Sequence, residues 1–324
     1  MTRGAVARPL RILIAVGLTA IFFWMSNPSE VLAAASGARV SFVLLACGLV
    51  IVDRVLMAYR WLTLLSPLDS ARRPPLAVVM RVFFVSTFVG TFLPASVGGD
   101  AVRAYGLSRE GVSGVHAVAS VLMDRLLGIV SILLVGVVGA ILARRLIDVR
   151  LLFPALGLLA LLCVFAFAVV FSSRAANLIN LALQRLPRGS QLGSALVEAI
   201  QRYKHHHADL VNVLLCSVAV QILRVLQTYS LGLALGLTVP PGIYFALVPI
   251  ILLIVLMPIT INGIGTTQAG FVWLFGRAGV ASAPAFALSV LFLAIAIVGN
   301  LPGGLLYLFG RDASASRQTR GREI

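Results

Sequence analysis

The sequence predicts an all-α polytopic membrane protein, built as an inverted-topology repeat with about six full spans and two re-entrant helical hairpins. Three observations predict it. Of 324 residues, 60% are apolar and 11% charged, and the mean hydropathy is +1.03, so the chain cannot present a solvated exterior throughout. The apolar residues gather in runs long enough to cross a hydrocarbon core, which takes about 20 residues. Two polar, helix-breaking stretches, Leu93-Pro94-Ala95-Ser96-Val97-Gly98-Gly99-Asp100 and Met257-Pro258-Ile259-Thr260-Ile261-Asn262-Gly263-Ile264-Gly265, interrupt that apolar sequence with one shared pattern.

The spans follow in order. Leu10 to Met25 is a short first span; it has a basic start, but Ser26-Asn27-Pro28-Ser29-Glu30 makes a poor cleavage site, so it reads as a retained helix. Val40 to Leu65, Val115 to Leu142, Leu151 to Phe171, Leu210 to Leu235 and Ala283 to Phe309 supply the others. Val82 to Leu93 and Ile243 to Met257 stop at Pro94 and Pro258, each after half a crossing. Proline removes a backbone donor and glycine loosens the helix, leaving peptide groups that hydrocarbon cannot satisfy. Such backbone is tolerated only inside protein or along a wet cavity, so both stretches are expected to be re-entrant hairpins, around 82–105 and 243–277.

Charge placement supports the hairpins. Lys+Arg total 26 against 11 for Asp+Glu, a formal +15. In a soluble domain that balance would suggest nucleic acid; here the basic residues sit between apolar runs and read as topology signals and contacts to lipid headgroups. With hairpins, the N-terminus (Arg3, Arg8, Arg11), Arg72-Arg73, the basic connection 172–209 and the tail 311–324 all lie on the cytoplasmic face of the cell membrane. Arg144, Arg145 and Arg150 fall on the other face, and nothing in the sequence accounts for them. Cys47, Cys163 and Cys216 stand singly, without disulfide or metal spacing.

The two halves, 1–142 and 143–310, carry an internal repeat. Pro94 matches Pro258, Ser96 matches Thr260, Val97 matches Ile261 and Gly99 matches Gly263 at one separation, 258 − 94 = 164; Arg60 and Arg224 share it. Gly111-Val112 and Gly279-Val280 match at 279 − 111 = 168. Three full spans per half would start the second half on the opposite face, so the hairpins would enter from opposite sides and meet near mid-bilayer.

Candidate site residues cluster on these elements. Gly98 and Gly99 expose amide donors, and Asp100 is placed to cap a helix over Ala101 to Leu107, an end that suits an anionic headgroup. Arg103, three residues on, either pairs with Asp100 or clamps a phosphate; Tyr105 closes the motif. Asp124 and Arg125 fall about 15 Å into their span at 1.5 Å per residue, where charge is costly and faces a cavity or a partner. Asp124 is expected to meet Arg60 or Arg103, and Arg125 a substrate phosphate or a hairpin carbonyl. Gln221, Arg224 and Gln227 form a polar stripe on one helix. Asp53, Arg54, Met57 and Arg60 make a similar edge, with Arg54 and Arg60 free to snorkel. The segment 174–183 is long enough for an interfacial helix, and His205-His206-His207 reads as a solvated tract. No metal or cofactor is expected.

Arg60-Trp61 with Leu64-Leu65, the run Phe92 to Tyr105, Asp124-Arg125, and Pro258-Ile259-Thr260-Ile261-Asn262-Gly263-Ile264-Gly265 resemble the flippase-like transmembrane domain of lysylphosphatidylglycerol synthases, over nearly the whole chain. Where that family usually has Arg-Glu after Gly265, this chain has Thr267-Gln268, so the second hairpin is not expected to contribute the ion pair that the resemblance would imply. The soluble aminoacyl-transfer domain of the bifunctional synthases is absent from this sequence. The resemblance implies lipid translocation or a related lipid-handling role rather than lipid lysylation.

The residues together predict a transporter that moves a polar-headgroup lipid, a phospholipid or lipid-linked saccharide, between leaflets by alternating access. Its expected contacts are Arg60, Ser96, Gly98, Gly99, Asp100, Arg103, Tyr105, Asp124, Arg125, Gln221, Arg224, Thr260, Asn262, Gly263, Gly265 and Gln268. No complete catalytic set is recognised, so an enzyme is not expected. A membrane-embedded lipid-modifying transferase and a non-transporting scaffold for a glycosyltransferase or synthase are the alternatives.

Overall fold

A computed structural model describes residues 24, 28–67, 74–92, 97–143, 153–184, 190–256 and 263–320. Among them are twelve α-helices and no strand: α1 (Pro28–Ser36), α2 (Val40–Leu65), α3 (Leu76–Phe92), α4 (Val97–Arg109), α5 (Gly114–Ala143), α6 (Phe153–Phe171), α7 (Ser173–Gln184), α8 (Ser190–Arg202), α9 (His207–Ala234), α10 (Pro241–Leu256), α11 (Thr266–Arg277) and α12 (Ser282–Arg320). Four contain stretches long and apolar enough to span a membrane: Val40–Leu65, Gly114–Gly139, His207–Ala234 and Ser282–Leu308. The chain is a multi-pass, all-α membrane protein. These four agree with the expected spans to within a few residues. The expected first span, Leu10 to Met25, lies outside the described residues except for Trp24, and so do the loops with Arg72-Arg73 and with Arg144, Arg145 and Arg150.

Both helix-breaking regions form antiparallel helix pairs. Along the first, a side chain at Gly90 would meet Gly99, one at Gly106 would meet Val82, and Arg81 pairs with Glu110. Contacts that move outward in step from a turn define a hairpin, so Leu76 and Arg109 end on the same side. A single crossing over Val82 to Tyr105 is excluded. Along the second, Val255 faces Gly263, Ile251 faces Gly270, and the Tyr244 and Phe275 rings meet edge to face at 5.2 Å. The helices run longer than the apolar stretches foretold: α3 starts at Leu76 and not Val82, directly after Pro74-Pro75, and α10 starts at Pro241. Proline is preorganised for the first turn of a helix and has no N–H to leave unpaired there. The turns at 93–96 and 257–262, with Pro94, Ser96, Pro258, Thr260 and Asn262, lie outside the described residues.

Two contacts between α2 and α9 are reciprocal. Arg60 on α2 donates from Nη1 to Ser217 Oγ on α9 at 2.9 Å, and Arg224 on α9 donates from Nε to Asp53 Oδ1 on α2 at 3.3 Å. Asp53 and Ser217 share the separation of 164 that relates Arg60 to Arg224, since 217 − 53 = 164. A contact between i and j′ matched by one between i′ and j is the pattern a local two-fold axis produces. Gly111 and Gly279, also matched in the sequence, both turn the chain through positive φ, 92° and 83°.

Close helix approach replaces hydrophobic driving force where lipid is as apolar as the side chains. At Gly139 the backbone of α5 lies against the backbone at Phe245 of α10, and at Gly303 α12 lies against the Phe84 backbone of α3, leaving no room for a Cβ. Two of the four apolar clusters among the described residues lie at the hairpins. One, around Tyr244, Phe271 and Phe275, backs the second hairpin; the other, around Trp61, Phe83 and Leu107, backs the first. A polar cavity lies where they meet: Val50, Leu252 and Ile295 of one cluster line it, as does Arg103, which stacks on Trp61 and Phe83 of the other.

Candidate functional site: a basic cavity between the hairpins

Seven helices bring charge or polarity to this cavity of about 270 Å³. Helix α2 supplies Asp53, Arg54 and Met57, α4 supplies Gly99, Asp100 and Arg103, and α5 supplies Arg125. Arg224 and Gln227 come from α9, Thr267 from α11, Thr87 and Thr91 from α3, and Asn300 from α12. Its size is just below the usual range for small-molecule sites, about 300–1,000 Å³, which suits a headgroup but not acyl tails.

Spacing on each helix explains who faces it. Asp53, Arg54 and Met57 fall on one side of α2, and Arg224 and Gln227, three residues apart, on one side of α9. Asp53, only 2% exposed, is shared: Arg54 Nη1 reaches its Oδ2 at 3.0 Å and Arg224 Nε its Oδ1 at 3.3 Å. Met57 Sδ accepts from Arg224 Nη2 at 3.2 Å. Arg54 therefore lies in the cavity wall and does not snorkel to the interface.

A second shared carboxylate stands behind the first hairpin. Asp124 holds Arg60 Nε to Oδ1 at 2.7 Å and Arg103 Nη1 to Oδ2 at 3.2 Å, all three buried. Both partners expected for Asp124 are engaged at once. The Arg103 guanidinium also lies 5.2 Å from the Trp61 ring centroid and 4.8 Å from that of Phe83, and desolvated cation–π contacts of this kind contribute about 2 kcal/mol. Trp61 is fixed in turn, its Nε1–H donating to Ser120 Oγ at 3.2 Å. Arg60 is enclosed and does not snorkel. Neither Arg60 nor Asp124 lines the cavity; they anchor Arg103, which does.

Asp100 departs from its expected role. Helix α4 begins at Val97, so Asp100 sits inside the first turn and is not the cap of a helix over Ala101 to Leu107. Its carboxylate is free to reach α5, and Arg125 grips it with both arms, Nε to Oδ2 at 2.7 Å and Nη2 to Oδ1 at 3.0 Å. Arg103 accordingly pairs with Asp124 and not with Asp100. Arg125 thus meets a carboxylate, a partner the sequence reading did not name, and this pair is the more open one, with 38% of the Arg125 side chain exposed.

Other expected contacts separate from the cavity. Gln221 turns toward α5, donating to Ser131 Oγ at 3.2 Å, which splits the polar stripe on α9. Tyr105 is exposed, its hydroxyl accepting from Arg109 Nη1 at 3.4 Å. Gly98 is half-buried and outside the lining. Gly263 and Gly265 form the end of the second turn with φ of 75° and 87°, and Gln268 closes it, Oε1 accepting from the Gly265 N–H at 2.6 Å. Thr267 Oγ1 donates to the Gly263 carbonyl at 2.7 Å and also faces the cavity. The uncharged Thr267-Gln268 pair thus builds the turn by hydrogen bonds. Away from this site, 174–183 lies in helix α7 as foreseen, while His206 pairs with Asp209 at 3.4 Å and His207 stacks on Phe171.

Sequence reasoning missed Asn300, whose Nδ2 donates to Thr91 Oγ1 at 2.8 Å and joins α12 to the first hairpin. An amide within an otherwise apolar 27-residue span was the available signal.

Residues 10–303 match the family described as Lysylphosphatidylglycerol synthase TM region. The chain belongs to this family. No curated protein and no solved structure matches it. In this lysylphosphatidylglycerol synthase TM region protein, the buried arginine–aspartate network holds Arg103 in the cavity wall.

Proposed function

We propose that this chain translocates a polar-headgroup lipid between leaflets of the cell membrane, the headgroup passing through the basic cavity while its tails stay in lipid. The carrying observation is the cavity itself: among the described residues four arginines, Arg54, Arg103, Arg125 and Arg224, face it at the junction of the two hairpins, with Asp53 and Asp100 as the acidic lining. Guanidinium forks match phosphate oxygens, and buried charge within a membrane protein is retained where it meets a substrate or a partner. The reciprocal α2–α9 contact supports rocking of two inverted halves about that contact as the means of alternating access. The basic loops support a cytoplasmic location for both termini.

The same geometry disfavours chemical turnover of the lipid. Asp124 holds a guanidinium on each oxygen and Asp100 is gripped at both, so neither is placed as a free general base. A scaffold for a glycosyltransferase or synthase would not need the arginines to face an open cavity.

Reconstitution into vesicles with acyl-labelled phospholipid and a membrane-impermeant bleach tests the proposal. Bleaching is expected to proceed past the outer-leaflet fraction only when protein is present, and Arg54→Gln or Arg224→Gln to slow it by about tenfold, the worth of one charged hydrogen bond. Unchanged rates in correctly folded variants reject the cavity as the route. Mass spectrometry of the recovered lipid detects any covalent change and would favour a transferase.

A further inference from the structure

The charges of the site do not balance. Asp53 is shared by Arg54 and Arg224, Asp124 is shared by Arg60 and Arg103, and Asp100 pairs with Arg125. Five guanidinium groups against three carboxylates leave 5 − 3 = +2 among the described residues of the network. The hairpin turns 93–96 and 257–262 contain no charged residue, so they bring no counter-charge.

The donors are unbalanced as well. Among the described residues Arg54 Nε, Arg103 Nε and Gln227 Nε2 have no hydrogen-bond acceptor, and all three residues line the cavity, Gln227 at 4% exposure. An unmet buried donor costs about 1–3 kcal/mol and an uncompensated buried cation more. The surplus charges also sit on different walls, one with the α2–α9 pair and one with Arg103 on α4. A zwitterionic headgroup would leave both surpluses in place, and a phosphodiester would cancel one. A phosphomonoester, at about −1.5 to −2 near neutral pH and with three acceptor oxygens, or a diphosphate, would cancel both and satisfy the open donors.

We infer that the cavity selects a dianionic phosphate headgroup, a lipid phosphomonoester or lipid diphosphate, over singly charged and zwitterionic headgroups. The inference rests on the translocation reading for the lipid part of the ligand and on the charge count for its headgroup.

The test measures thermal stabilisation and affinity of the purified full-length chain in detergent with dioleoyl phosphatidic acid, dioleoyl phosphatidylglycerol, dioleoyl phosphatidylcholine and inorganic pyrophosphate. The three lipids share their tails, so differences report the headgroup. Phosphatidic acid is expected to bind at least about tenfold more tightly than phosphatidylglycerol, with phosphatidylcholine weakest. Competition by pyrophosphate supports a site that reads phosphate charge, and pyrophosphate binding with no lipid binding would assign the dianion to a soluble source. Arg54→Gln should erase the preference and Arg54→Lys keep most of it; the wild-type series needs no variant to fold. Equal affinity for phosphatidic acid and phosphatidylglycerol overturns the inference. If leaflet exchange persists in that case, the proposed function survives; a clear phosphatidic acid preference without leaflet exchange removes the function and keeps the site.

Discussion

The two hairpins occupy matched positions in the sequence but are held by different physics. Gly99 and Gly263 correspond, and so do Arg103 and Thr267, at the separation of 164 residues. The first hairpin is clasped by charge: Arg103 to Asp124, and Asp100 to Arg125 on the neighbouring α5. The second is held by neutral means, with Gln268 and Thr267 closing their own turn and the rings of Tyr244, Phe271 and Phe275 packed behind it. Charge inside a membrane protein is stable only when paired, so the first hairpin is tied to particular partners, whereas the second depends on packing. The basic wall of the cavity therefore belongs to the first hairpin, α5 and the α2–α9 pair, and the second hairpin closes the cavity with Thr267, Leu252 and Val255.

The largest effect should come from the clasp. Asp124→Asn strands Arg60 and Arg103 in a buried site, and a loss of about 3–5 kcal/mol in unfolding free energy is expected by denaturant titration in micelles. A loss below 1 kcal/mol, which is about a fivefold change in the folding equilibrium, would mean that the clasp does not hold the hairpin. Next, Phe275→Ala should cost about 2 kcal/mol, less than in a water-soluble core because lipid tails also cover apolar surface. At temperatures where the variant stays folded, its preference among lipid headgroups should match the wild type, which separates packing from charge. Asp100→Asn frees the Arg125 fork at a partly exposed pair, so about 1 kcal/mol is expected from thermal melts. That variant also raises the cavity surplus by one charge, so tighter phosphatidic acid binding in the affinity series should accompany the lower melting point. Gln268→Ala removes one bond to the Gly265 N–H and should cost about 1 kcal/mol or less, visible as faster amide exchange in 263–268 than in the first hairpin.

Much of this was legible in the chain. Apolar runs placed α2, α5, α9 and α12, because crossing hydrocarbon demands a length and composition that few other structures need. The pairing of Arg60 and Arg103 with Asp124 could be named in advance, since a mid-span aspartate has few affordable surroundings. The Asp100–Arg125 fork was not foreseen. Its formation depends on α4 starting at Val97 rather than at Ala101, and helix ends inside a Gly-rich stretch are set by the neighbours that satisfy the freed peptide groups. The separation of Gln221 from Arg224 and Gln227 was likewise hidden, because a three-residue stripe on a helix is wide enough to serve two neighbours.

The sequence by itself determined the class, four spanning helices, the two breaks and the matched motifs around them, all of which follow from one-dimensional patterns of apolarity, proline and glycine. Only the tertiary structure decided that three carboxylates are divided among five arginines, two of them shared and one not. That division depends on distances between α2, α4, α5 and α9, segments up to 171 residues apart in the chain, and residue spacing along one helix carries no information about which face of another it will meet.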